Sequence, residues 1–209
     1  PYKKMNWIAA QHKALSKIAK PDWHFADVGA CIGEISDFLI PKTEKGYIFE
    51  PSPRNYQYLT EKYATLKDDK LTLNECAVSK NNGVANFSLN VDDTHTGNLE
   101  GVLPESHPKN YREQLTTVKT VNLDTYFEGK RIDLIKIDAE GAEWDILEGA
   151  KQIMKDNSIV FQIEFHWDED WHLRKLLDGT GYKIYDLDFN QLGPDDKRPY
   201  QGIVSNRDF

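Results

Sequence analysis

The spacing of hydrophobic residues along this chain changes several times between the period of a helix and that of a strand. Residues 5–20 carry apolar side chains at helical spacing, including Ile8, Leu15 and Ile18, and Pro21 follows them. This pattern predicts an amphipathic N-terminal helix. Beyond it, short apolar runs of strand length are separated by helical stretches. The predicted strands are 23–28, 47–50, 71–74, 132–138, 159–165, 182–187 and 201–205, and the predicted helices are 33–40, 55–66, 144–155 and 169–177. The alternation indicates an α/β fold with a largely parallel sheet and helices on both faces.

The middle of the chain departs from this rhythm. Residues 84–91 and 117–123 alternate with period two, which predicts an extra β insertion. Between them, residues 92–112 form a Gly-, Pro- and His-containing segment that is too long for a tight turn, and it contains His95, Asn98 and Tyr111. Segments of this length inside compact domains are often functional lids. We find no internal repeat and no low-complexity linker, so residues 1–209 are expected to form a single domain.

Composition and charge narrow the function classes. The 209 residues are 39% hydrophobic and 11% aromatic, which is enough to build a core. The formal net charge of −8 argues against a nucleic-acid partner, because phosphate neutralisation needs clustered Lys and Arg. Apolar runs fall far short of the roughly 18 residues that cross a bilayer, and no secretory signal is visible. Cys31 and Cys76 provide neither a disulfide framework nor zinc-ligand spacing. We therefore expect a cytoplasmic protein without a membrane partner.

The loop after the first predicted strand favours one class of cofactor. A dinucleotide-binding loop would carry G-x-G-x-x-G, and residues 27–33 instead read DVGACIG. Asp27 would repel a pyrophosphate, whereas it suits the sulfonium and ammonium of S-adenosylmethionine. Glu50 ends the second strand, where a carboxylate can accept hydrogen bonds from both ribose hydroxyls. Together with Gly29 and Gly33, these acids predict an S-adenosylmethionine pocket. The alternative is that the glycines only form turns and the acids are solvated strand-end charges.

Four blocks of the sequence resemble the FkbM-type methyltransferases. They are FADVGACIG at 25–33, FEPSP at 49–53, VNLD at 121–124, and KIDAEGAE at 136–143, which ILEGA at 146–150 continues. The resemblance implies a class I methyltransferase fold. That fold is a Rossmann-like three-layer sandwich with a mostly parallel seven-stranded sheet, whose last strand, here 201–205, is antiparallel. It also implies O-methylation of a sugar, glycoside or secondary metabolite. The expected cofactor contacts are Asp27, Gly29, Ala30, Gly33, Glu50, Pro51, Asn55, Ala77 and Asp138.

A second group of polar residues follows the fourth and fifth strands of the predicted parallel sheet. Lys136 and Asp138 share one face of the fourth strand, and Glu164 and His166 share one face of the fifth. In one mechanism, His166 or the Asp138–Glu164 pair removes the acceptor's hydroxyl proton, and Lys136 stabilises the developing alkoxide. In another, Asp138 and Glu164, with or without His166, hold a divalent cation that lowers the hydroxyl pKa. We favour the metal-free version. The alternative is that Lys136 forms a structural ion pair and Asp138 only holds the cofactor.

Residues 164–172 are rich in aromatic and acidic side chains. Trp167 and Trp171 could form an acceptor wall, although their spacing of four favours packing of a helix on the sheet.

The main functional hypothesis is an S-adenosylmethionine-dependent O-methyltransferase for a small hydroxylated acceptor. The alternatives are an NAD-dependent Rossmann oxidoreductase and a non-catalytic metabolite-binding module. We expect the acceptor to be recognised by the chain's own loops or by a partner subunit of a homodimer.

Overall fold

The computed structural model describes residues 2–66, 69–93, 97–100, 112–166, 170–197 and 199–209. Within them the helices are α1 (Tyr2–Ile18), α2 (Glu34–Leu39), α3 (Pro53–Lys62), α4 (Leu123–Tyr126), α5 (Glu143–Glu148), α6 (Lys151–Asp156) and α7 (Asp170–Leu177), and a 3₁₀ turn at Ile40–Lys42 follows α2. The strands are β1 (His24–Val28), β2 (Lys45–Phe49), β3 (Leu71–Asn74), β4 (Ala77–Val78), β5 (Gly83–Asn90), β6 (Gly97–Leu99), β7 (Glu113–Val121), β8 (Leu134–Ile137), β9 (Val160–Glu164), β10 (Lys183–Tyr185) and β11 (Gln201–Ser205). None of the described helices has the length and apolar character that a bilayer crossing requires.

The main sheet has seven strands in the order β10-β11-β9-β8-β1-β2-β3. All neighbours in it are parallel except β11, which runs antiparallel to both β9 and β10. This confirms the predicted sheet and the predicted antiparallel strand at residues 201–205. The strand order reverses between β1 and β8. In open α/β sheets such a reversal opens a crevice at the carboxyl ends of the strands, where ligands bind.

Alternation along the central strands divides the core into two layers. On β1, Phe25 faces one apolar layer, while Ala26 and Val28 face the other. Polar side chains interrupt the first layer in a row across the sheet, because Asp27 pairs in register with Lys136, which pairs with Gln162. All three of these polar residues are buried. The register therefore places a carboxylate and an ammonium group side by side just below the crevice.

The predicted insertion forms a second sheet in the order β4-β7-β5-β6. The predicted bounds of its second strand were too short, since β7 begins at Glu113. The prediction of a continuous loop at 92–112 was also wrong in part, because β6 pairs antiparallel with β5 and places Leu99 opposite Phe87. Packing of these two apolar side chains outweighs the turn-forming composition around them. Residues 94–96 and 101–111, and with them most of the proposed lid, lie outside the described residues.

The single helix predicted at 144–155 is instead two short helices, α5 and α6, that meet at Gly149. The Gly149 carbonyl accepts a hydrogen bond from Asp124 N, and Asp124 Oδ1 accepts from the first backbone N–H groups of α6, at Gln152 and Ile153. A side chain at Gly149 would lie 2.7 Å from the Ser79 carbonyl oxygen. Asp124 of the VNLD block thus caps the N-terminus of α6.

Candidate active site

A cavity of about 580 Å³ opens at the carboxyl ends of the central strands. Its floor comes from the loops after β1, β2, β8 and β9, and one wall comes from the second sheet through residues such as Phe87 and Leu89. The first helix, α1, also lines the cavity through Trp7, Ile8 and Gln11. The volume suits a cofactor-sized ligand.

The loop after β1 is tightly held against its neighbours. Gly29 and Ala30 donate backbone hydrogen bonds to the Phe49 carbonyl. Gly29 has φ of +70°, and a Cβ there would lie 1.9 Å from the backbone oxygen of Asp138. Only glycine fits such an approach. The loops after β1 and β8 therefore meet at backbone contact, which leaves the space above them open for a ligand.

Glu50 lies at the end of β2 and is nearly fully buried. Its Oε2 accepts from Cys31 N at 2.7 Å, and its Oε1 accepts from Ser52 N at 2.8 Å. Burial raises the pKa of Glu50 to about 7, although both backbone donors act in the opposite direction. Of the other predicted cofactor contacts, Ala30, Pro51, Asn55 and Ala77 line the same cavity, and Asp27 and Gly33 lie beneath or beside the loop. Seven of the nine predicted cofactor residues thus line the cavity, whereas Asp27, fully buried beside Lys136, and Gly33 do not.

Lys136 is buried beneath the first loop and has several oxygen partners. Its Nζ lies 3.1 Å from Asp27 Oδ1 and 3.8 Å from Asp138 Oδ2, and it donates to the Gly29 carbonyl at 2.9 Å. Burial alone would lower the pKa of Lys136, but the charges of Asp27 and Asp138 raise it. Ser36 Oγ donates to the other oxygen of Asp27 at 2.6 Å. This geometry favours the structural alternative, in which Lys136 binds two carboxylates and the loop backbone.

His166 follows β9 and lies among four carboxylates. Its Nδ1 is 3.0 Å from Glu143 Oε1, and its Nε2 is 3.5 Å from Glu164 Oε1, 3.7 Å from Glu140 Oε2 and 4.0 Å from Asp138 Oδ1. Burial would lower the pKa of His166, but hydrogen bonds with Glu143 and Glu164 and the surrounding negative charge raise it to about 11. The ring is therefore an imidazolium at neutral pH. It cannot remove a proton in that state.

Glu164 is fixed by two donors from the start of β11 and the residue before it. Tyr200 Oη donates to Oε1 and Gln201 Nε2 donates to Oε2, both at 2.6 Å. Burial would raise the pKa of Glu164, but hydrogen bonds from His166, Tyr200 and Gln201 lower it to about 2. Glu164 is thus an ionised anchor for His166 and Tyr200.

Two acids after β8 face the cavity more openly. The side chains of Asp138 and Glu140 are about a third exposed, at 31% and 32%. Burial raises the pKa of Asp138, and it raises the pKa of Glu140 to about 7. Glu140 adopts φ of +50° in the turn that leads to α5. Glu143 is held by the backbone N–H groups of Ala139 and Gly141, and so fixes this turn.

The four predicted catalytic residues, Lys136, Asp138, Glu164 and His166, therefore converge as the sequence indicates, at the ends of neighbouring strands. Sequence reasoning did not assign roles to Glu140 and Glu143, although both belong to the KIDAEGAE block. It also missed Tyr200 and Gln201, whose positions before and within the last strand gave no chemical signal. Trp167 and the side chain of Trp171 lie outside the described residues, so the proposed acceptor wall at 164–172 is untested.

A divalent cation would find three ligand atoms here. Asp138, Glu140 and His166 each offer one, and these atoms lie within 4.8 Å of one another. Carboxylate and imidazole are common metal ligands. Glu164, the other metal candidate from the sequence, has both oxygens engaged by protein donors. In this geometry the imidazolium already offsets part of the negative charge that a cation would neutralise.

Comparison with known proteins identifies the family. The sequence profile of the methyltransferase FkbM domain matches residues 27–184. The chain belongs to the FkbM methyltransferase family. The enzyme is therefore a methyltransferase, and the oxidoreductase alternative has no support.

A curated relative agrees with this placement. The 2-O-methyltransferase NoeI of Sinorhizobium fredii (strain NBRC 101917 / NGR234) is 27% identical over 167 residues, which cover 74% of this chain and 68% of NoeI.

Solved structures show the same fold. The FkbM methyltransferase of Methylobacillus flagellatus KT matches with a TM-score of 0.53 at 20% sequence identity. The match covers 88% of this chain and 43% of the M. flagellatus chain. The putative methyltransferase SMU.1697c of Streptococcus mutans, solved with S-adenosylhomocysteine (SAH), matches with a TM-score of 0.53 at 13% sequence identity. The match covers 95% of this chain and 96% of the S. mutans chain. This chain thus spans less than half the length of the first of these structures. The class I methyltransferase fold is shared.

Proposed function

We propose that this methyltransferase uses S-adenosylmethionine and methylates a hydroxyl of a small acceptor, a sugar or glycoside. The observation that carries the proposal is the order of acids along the sheet edge. Glu50 follows β2, Asp138 follows β8 and Glu164 ends β9, and all three line the cavity, whereas Asp27 is buried beside Lys136. A cationic cofactor suits this edge, and a phosphate-rich acceptor does not. The name of the relative NoeI, a 2-O-methyltransferase, points to the same chemistry.

The residues present fit the cofactor. Glu50 presents a buried carboxylate to accept from ribose hydroxyls. Gly29 lets the loop after β1 meet the Asp138 backbone, where a Cβ would clash, and Ala77 lies with Cys76 and Val78 on an apolar patch suited to an adenine ring. When bound, S-adenosylmethionine supplies an electrophilic methyl group. The chain's task is to hold the acceptor oxygen in line with it and to take the hydroxyl proton.

Asp138 is the group best placed to take that proton. Lys136 and the protonated His166 cannot accept one, and Glu164 is held in its ionised form by two donors. Asp138 faces the cavity, and burial raises its pKa toward the range useful in a general base. His166, 4.0 Å away, stabilises the carboxylate before transfer. The acceptor's proton would pass to the Asp138 carboxylate as its oxygen bonds to the methyl carbon, whose bond to the sulfonium sulfur would break to leave the neutral thioether.

A transfer assay with radiolabelled S-adenosylmethionine and a panel of methyl glycosides tests the proposal. We expect methylated product with and without EDTA. In Asp138→Asn, kcat should fall by at least about 100-fold while SAH binding is retained. Glu140→Gln is the matched control, because it removes a neighbouring acid with a smaller expected effect.

Three results would contradict these assignments. Failure of every glycoside would reject the acceptor class. Loss of activity in Glu140→Gln but not in Asp138→Asn would reject the proton acceptor. Complete loss with EDTA, restored by a divalent cation, would favour a metal held by Asp138, Glu140 and His166.

A further inference from the structure

Two aromatic side chains meet at the mouth of the cavity. Trp7 on α1 and Tyr200, just before β11, have ring centroids 4.5 Å apart and planes at 41°. Both line the cavity, yet they remain 40% and 41% exposed. The accessible part of each residue is largely aromatic ring, which is apolar and can pack against a ligand. An exposed aromatic pair at a cavity mouth therefore marks a surface on which a ligand can pack.

The order of the strands shows which end of the cavity this pair borders. Glu50 and the cofactor loop lie over β2 and β1, whereas Glu164 follows β9 and Tyr200 precedes β11. Strands are spaced about 4.8 Å apart, so the ends of β2, β1, β8, β9 and β11 span roughly 19 Å. The aromatic pair is thus on the side away from the ribose position, beyond the catalytic acids. That is the acceptor side of the cavity.

The pair is also tied directly to the catalytic acids. Tyr200 Oη donates to Glu164, and its ring lies edge-on to His166 with centroids 5.7 Å apart. An acceptor packed on these rings would therefore have its edge toward Asp138, Glu140 and Glu164. Those carboxylates can accept hydrogen bonds from several hydroxyls at once.

We propose that Trp7 and Tyr200 form the acceptor subsite, where the C–H face of a pyranose ring packs against the indole while the ring hydroxyls face the carboxylates after β8 and β9. This inference rests on the proposed function and assigns the residues that select its acceptor. A pyranose combines an apolar face with several hydroxyls at its edge, which matches an aromatic surface beside a group of acids. Partly positive C–H groups are attracted to the negative face of an aromatic ring. A flat phenol would use the rings but leave most of the carboxylates unpaired, and an acyclic polyol would leave the rings without a partner.

Steady-state kinetics of Trp7→Ala and Trp7→Phe test the subsite with methyl glycosides as acceptors. In Trp7→Ala we expect KM for the glycoside to rise about 10-fold, with kcat changed less than KM. Trp7→Phe keeps an aromatic face and should recover most of the affinity. The SAH Kd, measured by calorimetry, should change by less than about 3-fold in both variants, since the cofactor end of the cavity is untouched. Tyr58→Ala, an exposed aromatic on α3, is the matched control and should leave all constants unchanged.

The possible failures are distinguishable. If the unaltered chain methylates no glycoside, the proposed function falls and this subsite falls with it. If it methylates glycosides and Trp7→Ala has the same KM as the unaltered chain, only the subsite is wrong. A preference for a phenol or for sorbitol over every methyl glycoside would also overturn it. A parallel loss of SAH affinity in Trp7→Ala would assign Trp7 to the cofactor instead.

Discussion

Replacing Lys136 with methionine should destabilise the fold more than it impairs a folded active site. The Lys136 side chain is 4% exposed, and its ammonium group lies 3.1 Å from Asp27 Oδ1, while Asp27 is fully buried. Removing one partner of a buried ion pair leaves the other charge uncompensated, which costs about 3–5 kcal/mol. Because domains are stabilised by only about 5–15 kcal/mol in total, the loss is a large fraction.

Urea unfolding followed by circular dichroism measures this effect. With a slope of about 2 kcal/mol/M, the midpoint of Lys136→Met should fall by roughly 1.5–2.5 M. The double variant Asp27→Asn/Lys136→Met removes both charges and should recover part of that loss, since a neutral pair carries no uncompensated charge. Lys13→Met breaks the exposed pair with Asp188 and should not move the midpoint measurably. A Lys136→Met protein with the original midpoint and a selective loss of kcat would refute the reasoning and restore Lys136 as an alkoxide stabiliser.

Two further predictions concern the acids at either end of the cavity. Glu50→Gln should weaken SAH binding at least about 10-fold at pH 8, because the amide cannot accept with both side-chain atoms. Since the pKa of Glu50 is about 7 in the free site and ribose donors favour its ionised form, SAH affinity should rise with pH through that value, and a pH-independent Kd in calorimetry would contradict this role. Tyr200→Phe keeps the ring but removes a donor to Glu164, so the pKa of Glu164 should rise from about 2 and kcat should fall several-fold. The glycoside KM should stay constant in Tyr200→Phe, and a large change in KM with constant kcat would be inconsistent with a positioning hydroxyl.

The sheet could be predicted because each central strand is short, apolar and followed by a helix or a glycine. The largely parallel sheet followed from the alternation of strands and helices, whereas the antiparallel strand β11 came from the family resemblance, and both are confirmed. The predictions failed where tertiary contacts override local pattern. Asp124 on α4 caps α6, and one predicted helix is therefore two. Leu99 pairs opposite Phe87 in a strand, although the surrounding segment has the composition of a loop.

Of the candidate site, the sequence predicted only the residues that lie near the ends of predicted strands. Lys136, Asp138, Glu164 and His166 were found because they follow neighbouring parallel strands, and such ends meet at one edge. Trp7 and Tyr200 were not found, because they are 193 positions apart and each has an ordinary local context. Only the three-dimensional fold brings α1 and the start of β11 to the same mouth.

The roles of the acids depend on hydrogen-bond donors whose positions cannot be predicted from the sequence. As a sequence, Asp138, Glu140, Glu143 and Glu164 are four equivalent carboxylates close to a histidine. In the fold, Tyr200 and Gln201 hold Glu164 ionised, and backbone N–H groups hold Glu143 against His166. The resulting imidazolium, with a pKa near 11, removes His166 from consideration as the base, while burial raises the pKa of the remaining two acids. Hydrogen bonding thereby separates Asp138 and Glu140, the two candidate bases, from their structural neighbours, which is why residue type and spacing could locate the chemistry without assigning it.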